Sequence, residues 1–334
     1  MTEKAIIEVK KIFSTPKKIV ILTHINPDGD AIGSALAMYM YLKQKKHTVS
    51  VITPNGLPSF LQWMPESDKI VINSNQADDA NKLMNEAEMF ICLDFNALNR
   101  IEKLAEAFIQ SNASKILIDH HIEPENFADF TFSITGASST SEMIYDFIET
   151  LDDLTMLNKE IAECLYVGIA TDTGSFSYSC NFSRTYTIVS KLMEAGIDAK
   201  QIHRLVYDTY SEDRMRLLGF CLSEKMKVMP KYATAYISLT KDELKRFNHQ
   251  SGDTEGIVNF PLSIGNVKMA ALFIEKEGHI RISFRSKGDF HVNSIAKMYF
   301  AGGGHKNAAG GNSQLSMEDT IKKFINLLPE LNFN

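Results

Sequence analysis

The chain lacks any apolar run approaching the ~20 residues of a membrane span. Its N-terminus, Met1-Thr-Glu-Lys-Ala-Ile-Ile-Glu-Val-Lys-Lys11, mixes acids and bases at helical spacing and has neither the apolar core nor the cleavage site of a signal peptide. A cytoplasmic protein with no membrane partner is expected. Cysteine is scarce: Cys92, Cys164, Cys180 and Cys221 form no close-spaced pair and three lie in apolar contexts, so buried reduced thiols are expected rather than disulfides or metal ligands. No dense basic stripe of the kind that binds long nucleic acid by counterion release is present. The chain carries 35 Lys and Arg against 41 Asp and Glu, a net charge of −6, and the deficit is uneven. Residues 1–200 hold 17 basic against 27 acidic side chains, and residues 201–334 hold 18 against 14. Set against random variation in surface charge, this division suits a first part that holds cations and a second that meets anions. A small anionic substrate follows.

What is present fits a two-domain α/β protein. At 334 residues the chain exceeds what one hydrophobic core usually serves, and 44% hydrophobic with 23% charged residues is ordinary for a globular protein. Over the first 175 residues, strand-like runs at 18–23, 48–52, 89–93 and 115–118 interleave with helical periodicity at 31–45, 141–151 and 159–168. That alternation predicts a mostly parallel sheet covered by helices, with Asp30 as N-cap of the first helix. A helical connector is expected at 191–224 between a catalytic domain at 1–190 and a smaller α+β domain at 225–334. In the latter, strands are predicted at 232–239, 268–275 and 279–285 and helices at 293–300 and 317–328.

Four short segments place carboxylate or imidazole at breaks between these elements. Asp119-His120-His121 closes the run Lys115 to Ile118; His24-Ile-Asn-Pro-Asp28-Gly-Asp30 follows Ile19 to Leu22; Asp94 follows Met89 to Leu93; and Asp172 lies inside Gly168-Ile-Ala-Thr-Asp-Thr-Gly174. In open α/β sheets ligands gather beyond the carboxyl ends of strands, so these segments can converge. Each alone has a bland reading, since Asp and Gly are common in turns and a lone Asp often caps a helix. Together they suit two divalent cations. His24 and Asp28 can curl onto one ion, while Asp30 points to a second, completed by Asp172. Asp94 can bridge both, because a carboxylate offers two oxygens and a full charge to ions ~3.5–4 Å apart. Adjacent side chains alternate on an extended segment, so His120 is assigned to the second ion and His121 to the pocket as phosphate contact or proton donor. Asp119 then accepts a hydrogen bond from an imidazole and fixes its tautomer.

The C-terminal part has another signature. Ala301-Gly302-Gly303-Gly304-His305-Lys306-Asn307-Ala308-Ala309-Gly310-Gly311 packs five glycines into eleven residues, and Ser283-Phe284-Arg285-Ser286-Lys287 puts a guanidinium at a strand end. A glycine-rich loop lets backbone N–H groups approach an anion, and Arg suits bidentate phosphate contact. The alternatives are a flexible turn and an ordinary surface charge.

As an ordered set these motifs resemble the DHH phosphoesterase family, in the branch that carries a C-terminal DHH-associated domain. His24 to Ser34, Asp94 with Arg100, Asp119 to His121 and Tyr166 to Phe176 match the catalytic-domain motifs. Thr254-Glu-Gly256, Ser283 to Ser286 and the Gly302 to Gly311 loop match the associated domain. The resemblance implies two Mn²⁺ ions, with His24, Asp28 and Asp94 on one and Asp30, Asp94, His120 and Asp172 on the other. Asp119 and His121 stand beside them in the catalytic machinery. Arg100, Arg285, Ser286, Gly303, Gly304 and His305 would hold substrate phosphate, in a cleft between the domains. The short two-domain form is most similar to the family's bacterial oligoribonucleases. It implies short oligoribonucleotides and 3′-phosphoadenosine 5′-phosphate as substrates and no organic cofactor, and leaves a homodimer open. A phosphodiesterase of cyclic or linear dinucleotides and a nucleotide-binding regulator without turnover are the alternative readings.

Overall fold

The apolar runs pair with one another in parallel, as their β-branched content and burial on both sides require. A computed structural model describes residues 3–177, 180, 182–250 and 252–331. The chain divides into two units, Met1–Thr209 and Tyr210–Asn334. The first contains α1 (Glu3–Ile12), β1 (Lys18–Leu22), α2 (Gly29–Gln44), β2 (Thr48–Thr53), β3 (Val71–Ile72), α3 (Ala77–Glu86) and β4 (Met89–Leu93). It continues with α4 (Leu104–Gln110), β5 (Ser114–Asp119), β6 (Phe130–Ser133), α5 (Thr140–Thr150), α6 (Lys159–Asp172), α7 (Ser183–Glu194) and α8 (Ala199–Tyr207).

The six strands run in the order β3-β2-β1-β4-β5-β6 and every pairing is parallel. Strand alternation supplies two cores. Ile19 and Ile21 of β1 face the layer of α2, α5 and α6, whereas Val20 and Leu22 face Ala80 and Met84 of α3 and Leu104 and Phe108 of α4. From β1 the chain winds out through β2 and β3, then returns to β4 on the other side. The ends of β1 and β4 therefore flank the point where the winding reverses, which opens a crevice beyond the strands.

Helix α2 is buried along its whole length from Gly29 to Leu42, as a helix that is apolar all round must be. Its N-cap is Asp28, whose Oδ1 accepts from the N–H groups of Asp30 and Ala31 at 3.1 Å each. This corrects the expectation that Asp30 caps the helix: Gly29 is already helical, so Asp30 sits inside the first turn and its carboxylate points elsewhere. The four cysteines are free and buried.

The second unit contains α9 (Glu212–Phe220), β7 (Lys227–Met229), β8 (Thr234–Leu239), α10 (Lys241–Arg246), β9 (Met269–Lys276) and β10 (His279–Ser286). It ends with α11 (Val292–Tyr299), β11 (Gly303–Gly304), β12 (Ala308–Ser313) and α12 (Met317–Leu327). Of the stretch expected as a connector, α7 and α8 belong to the first unit and α9 to the second. The mixed sheet runs β11-β12-β10-β9-β8-β7. One face packs on α11 and α12 around Phe273, Phe284 and Phe324; Leu217, Phe220 and Leu244 cover Ile237 and Leu272 on the other. The glycine-rich segment, expected as a loop, is instead a hairpin of β11 and β12 closed by His305 N–H donating to Ala308 O at 2.8 Å. A Cβ at Gly302 would lie 2.0 Å from Gly310 O and one at Gly304 2.6 Å from Ala308 O, so these glycines let the two arms approach. Among the described residues no helix is long and apolar enough to cross a membrane.

Candidate metal centre

Each predicted metal ligand of the first unit arrives at the carboxyl end of the sheet. Beyond β1, Ile25 N–H donates to Arg100 O at 2.8 Å, which holds the loop that carries His24. His24 Nδ1 lies 2.8 Å from Ile25 O, leaving Nε2 3.3 Å from Asp94 Oδ2 and 3.9 Å from Asp28 Oδ1. Asp94 follows β4 with φ +64°, a left-handed conformation uncommon outside Gly, Asn and Asp. Its other oxygen, Oδ1, is 3.6 Å from His120 Nε2. That imidazole also stands 3.5 Å from Asp172 Oδ2 and 3.8 Å from Asp30 Oδ2. Two donor groups result, His24–Asp28–Asp94 and Asp30–His120–Asp172, each with ligand atoms within 4.8 Å of one another. Asp94 turns one oxygen to each.

Asp119, at the end of β5, is fully buried, with ligand atoms of Asp94, Asp119 and His121 within 4.8 Å of one another. Its Oδ1 accepts from His121 Nδ1 at 2.7 Å and its Oδ2 from His121 N–H at 3.2 Å. The His120 and His121 rings stand nearly perpendicular, at 77°. Both approach Asp94 Oδ1, His120 Nε2 at 3.6 Å and His121 Nδ1 at 3.8 Å.

The support of Asp30 was not read from the sequence. Its Oδ2 accepts from Thr140 N–H at 2.6 Å and its Oδ1 from Ser141 N–H at 2.8 Å, so it is held by the N-terminus of α5, where N–H groups lack helical partners. Ser139 caps that helix, Thr140 Oγ1 donates to Asp94 Oδ1 at 3.0 Å, and Ala137 O meets His120 Nδ1 at 3.3 Å. Buried Glu142 anchors the turn, accepting from Ser138 Oγ at 2.5 Å and Thr185 Oγ1 at 2.6 Å. The signal was Ser139-Thr-Ser-Glu142, a helix-start pattern.

Glycine brings α2 and α6 close enough to join Asp30 to Asp172. A Cβ at Gly33 would lie 2.5 Å from Cys164 O, and one at Gly168 1.9 Å from Ser141 Oγ and 2.7 Å from Asp30 Oδ1. A side chain at Gly33 would push α2 from α6, and one at Gly168 would push α5 from α6 and strike the Asp30 carboxylate.

The electrostatics test whether a divalent cation fits. Burial, with the neighbouring Asp94 and Asp172, raises the Asp30 carboxyl well above the usual range. Burial likewise pushes Asp172 up to about 6, although His120 opposes it. Burial acts the same way on Asp94, but a hydrogen bond from His24 and the charges of His121, His24 and His120 outweigh it and hold that group below the usual range. Burial would lower His120, yet Asp172, Asp94, Asp30 and Asp119 push it up to about 9. Carboxylates this crowded compete for the little positive charge that imidazoles supply. Oxygen and imidazole donors converging in that way form the ligand chemistry of a borderline divalent ion.

Arg100 stands beside this centre, in a 3₁₀ turn (Leu98–Ile101), where its charge opposes protonation of His24. Arg285, Ser286, Gly303, Gly304 and His305 lie in the second unit and are brought together there. Arg285 pairs with Ala308 across β10 and β12, Gly304 with Ala309, and His305 closes the hairpin. Ser286 Oγ donates to Phe290 O at 2.6 Å and accepts from Asn307 Nδ2 at 2.9 Å, so its hydroxyl also ties the hairpin to the turn after β10.

A doubly wound sheet with carboxylate and imidazole groups that could hold a metal at its reversal point defines a class of α/β proteins, and the comparisons narrow it. The model of the DHH family, N-terminal domain, matches residues 18–169, and that of the DHHA1 domain matches residues 230–331. The chain belongs to the DHH family. It is 32% identical, over 97% of its length and 98% of the relative's, to a probable bifunctional oligoribonuclease and PAP phosphatase NrnA of Streptococcus mutans. The bifunctional oligoribonuclease and PAP phosphatase NrnA of Bacillus subtilis is 28% identical over 91% of this chain and 92% of its own. Among solved structures, an exopolyphosphatase-related protein from Bacteroides fragilis superposes with TM-score 0.94 at 45% identity, covering 98% of this chain and 96% of that one. RecJ of Thermus thermophilus in complex with Mn²⁺ shares the fold, with TM-score 0.59 at 10% identity over 99% of this chain and 56% of its own.

Proposed function

We propose that the protein is a dinuclear metal phosphoesterase that hydrolyses short oligoribonucleotides to mononucleotides and 3′-phosphoadenosine 5′-phosphate to AMP and phosphate. The observation that carries the reading is the division of Asp94, with Oδ2 toward His24 and Oδ1 toward His120. One carboxylate facing two donor groups is what two cations sharing a ligand require. The substrates come from the relatives, two of which bear the name oligoribonuclease and PAP phosphatase and match this chain nearly end to end. Mn²⁺ is the ion proposed, held by His24, Asp28 and Asp94 on one side and by Asp30, Asp94, His120 and Asp172 on the other; RecJ, which shares the fold, is solved with Mn²⁺ and with Mg²⁺, which supports a divalent ion here. The cytoplasm, where short RNA fragments arise, is the proposed location.

When bound, the ion pair would supply a nucleophile at neutral pH and charge to neutralise the phosphoryl oxygens. The chain's own groups do the remainder. The hydrogen bonds from Thr140 and Ser141 hold Asp30 in one orientation, and Thr140 Oγ1 holds Asp94. Asp119 accepts the Nδ1 proton of His121, which presents Nε2 to the substrate; a protonated Nε2 gives its proton to the departing ribose oxygen. Arg100, Arg285, Ser286, His305 and the backbone at Gly303 and Gly304 bind phosphate.

The test is product analysis with added Mn²⁺ on labelled RNAs of about two to twenty nucleotides, beside 3′-phosphoadenosine 5′-phosphate, cyclic dinucleotides and inorganic polyphosphate. Di- to pentanucleotides are expected to yield mononucleotides much faster than the longest chains, because a net charge of −6 offers a long polyanion little further attraction. Equal or greater efficiency on long RNA overturns the short-fragment reading. A strong preference for cyclic dinucleotides or polyphosphate replaces the substrate.

A further inference from the structure

One face of β10 in the second unit carries a row of polar and basic side chains that no step above uses in full. Strand alternation puts Ile280, Ile282 and Phe284 into the core and His279, Arg281, Ser283 and Arg285 on the opposite face. Arg281 is exposed, while Ser283 and Arg285 are half-buried. On β9, Ile274 stands opposite Arg281 and Lys276 opposite His279, so Lys276 shares their face. His249, beyond α10, comes close enough that Lys276 opposes its protonation, and Arg281 in turn opposes that of Lys276; in both cases burial is the larger cause. Lys276 and Arg281 thus share one end of the row, and Arg285 lies at the other. Among the described residues, no ion pair to Arg281 or Lys276 is found.

The floor beside this row is bare. Opposite Ser283 lies Gly310 of β12, and opposite Gly310 lies Gly303 of β11. The fold does not demand glycine at either place. A Cβ at Gly303 would meet nothing within 4 Å, and one at Gly310 only Ile282 O at 3.8 Å, in contrast to the clashes at Gly302 and Gly304. Missing side chains on a strand surface, where β-branched residues would be favoured, leave room for a flat object to lie against the backbone.

We propose that this face is a track for the successive phosphates of a single-stranded oligonucleotide, with Arg285, Ser283 and Arg281 in register with three of them and Gly303 and Gly310 as the floor under a nucleoside between. Residues two apart on a strand are about 6.8 Å apart, at a rise of ~3.4 Å each, which is close to the interval between phosphates of an extended single strand. Lys276, on the same face by strand register, reinforces the Arg281 end. The track is finite. From Arg285 to Arg281 it spans about 14 Å, so affinity gained by adding nucleotides stops after three or four. This inference rests on the oligoribonucleotide reading and gives it a ruler.

The experiment measures kcat/KM of the full-length protein with Mn²⁺ on RNAs of two, three, four, five and eight nucleotides. In the unaltered protein the value is expected to rise to about four nucleotides and then level. In Arg281→Ala the ratio of pentanucleotide to dinucleotide efficiency is expected to fall about tenfold, through KM rather than kcat, and the salt slope of pentanucleotide KM to shrink by about 0.7, as for one lost single-strand phosphate contact. Arg281→Lys should restore most of both. Gly310→Val, which adds a strand-favouring side chain in open space, should keep the melting temperature and raise KM for trinucleotides and longer. Equal losses on all lengths in Arg281→Ala, or no change in the length profile in either variant, overturn the track. Absence of any RNA turnover in the unaltered protein would instead overturn the function it rests on.

Discussion

Gly168→Ala asks whether a single methyl group can separate the metal centre from the fold that carries it. The added Cβ would lie 1.9 Å from Ser141 Oγ, 2.6 Å from Ser141 Cβ and 2.7 Å from Asp30 Oδ1. Turning the hydroxyl away relieves only the first of these contacts. To regain ordinary separation, α5 must withdraw by about 1 Å, since packed interiors have no slack to absorb the methyl. Ser141 N–H holds Asp30 Oδ1 at 2.8 Å, so the carboxylate is pushed directly and dragged by its donor. Overpacking costs about 1–3 kcal/mol and replacing a helical glycine returns about 1 kcal/mol, for a net loss of roughly 0–2 kcal/mol. The protein should therefore remain folded, with a melting temperature lowered by a few degrees. Misplacing a reacting group by about 1 Å can cost on the order of 100-fold in rate, and at least that loss is expected in kcat/KM, with weakened Mn²⁺ binding in calorimetric titration. Gly33→Ala is the control. Its Cβ would press on Cys164 O at 2.5 Å and Gly168 N at 3.0 Å, backbone atoms of α6 about two turns and one turn before Asp172, so stability should suffer as much and the centre less. A Gly168→Ala protein with unaltered Mn²⁺ affinity and kcat/KM would refute the claim that this helix crossing sets the position of Asp30.

Three other predictions follow from the same geometry. Asp94→Ala should abolish turnover and lower metal content at both groups, because it removes the carboxylate they share; two tightly bound ions by elemental analysis would rule out the bridge. Asp119→Asn should keep the metal stoichiometry yet lower kcat by about 10–100-fold and alter its pH profile, since an amide no longer fixes the imidazole of His121; an unchanged profile would show that Asp119 acts only in folding. Asp153 is partly buried, which raises its carboxyl, but hydrogen bonds from Lys45 at 2.7 Å and Tyr41 at 2.5 Å outweigh burial and hold it below the usual range. A depressed carboxylate stabilises the fold above the ordinary carboxylate pKa and loses that contribution as pH falls through the folded value. Asp153→Asn should thus cost about 1–2 kcal/mol at neutral pH and progressively less as pH falls below the ordinary carboxylate range in denaturant unfolding, and a pH-independent loss would contradict the sign.

The parts of this molecule that were legible in its sequence are those specified by a local pattern. The runs Ile19 to Leu22, Met89 to Leu93 and Lys115 to Ile118 are short, apolar and bounded by polar residues, and they form parallel strands within a residue of where the pattern ends. His24, Asp94 and Asp119-His120-His121 follow from them, because a residue just past a strand of a doubly wound sheet has one place to go. What stayed hidden is what depends on two distant segments meeting. Nothing near Gly33 or Gly168 says that each faces the other's helix, and nothing near Asp30 says that its partners are the N–H groups of residues 140 and 141. The short strands β3, β6 and β11 carry too few residues to show alternation, and in β12 the glycines mask it. The same reasoning separates the glycines of the second unit. Gly302 and Gly304 are explained by backbone they touch, so removing them should damage the hairpin. Gly303 and Gly310 touch almost nothing, and an unforced glycine between two arginine-bearing ends of a strand face calls for a cause outside the chain. A sequence shows five glycines as one signal; only the contacts divide those the fold needs from those left for a ligand.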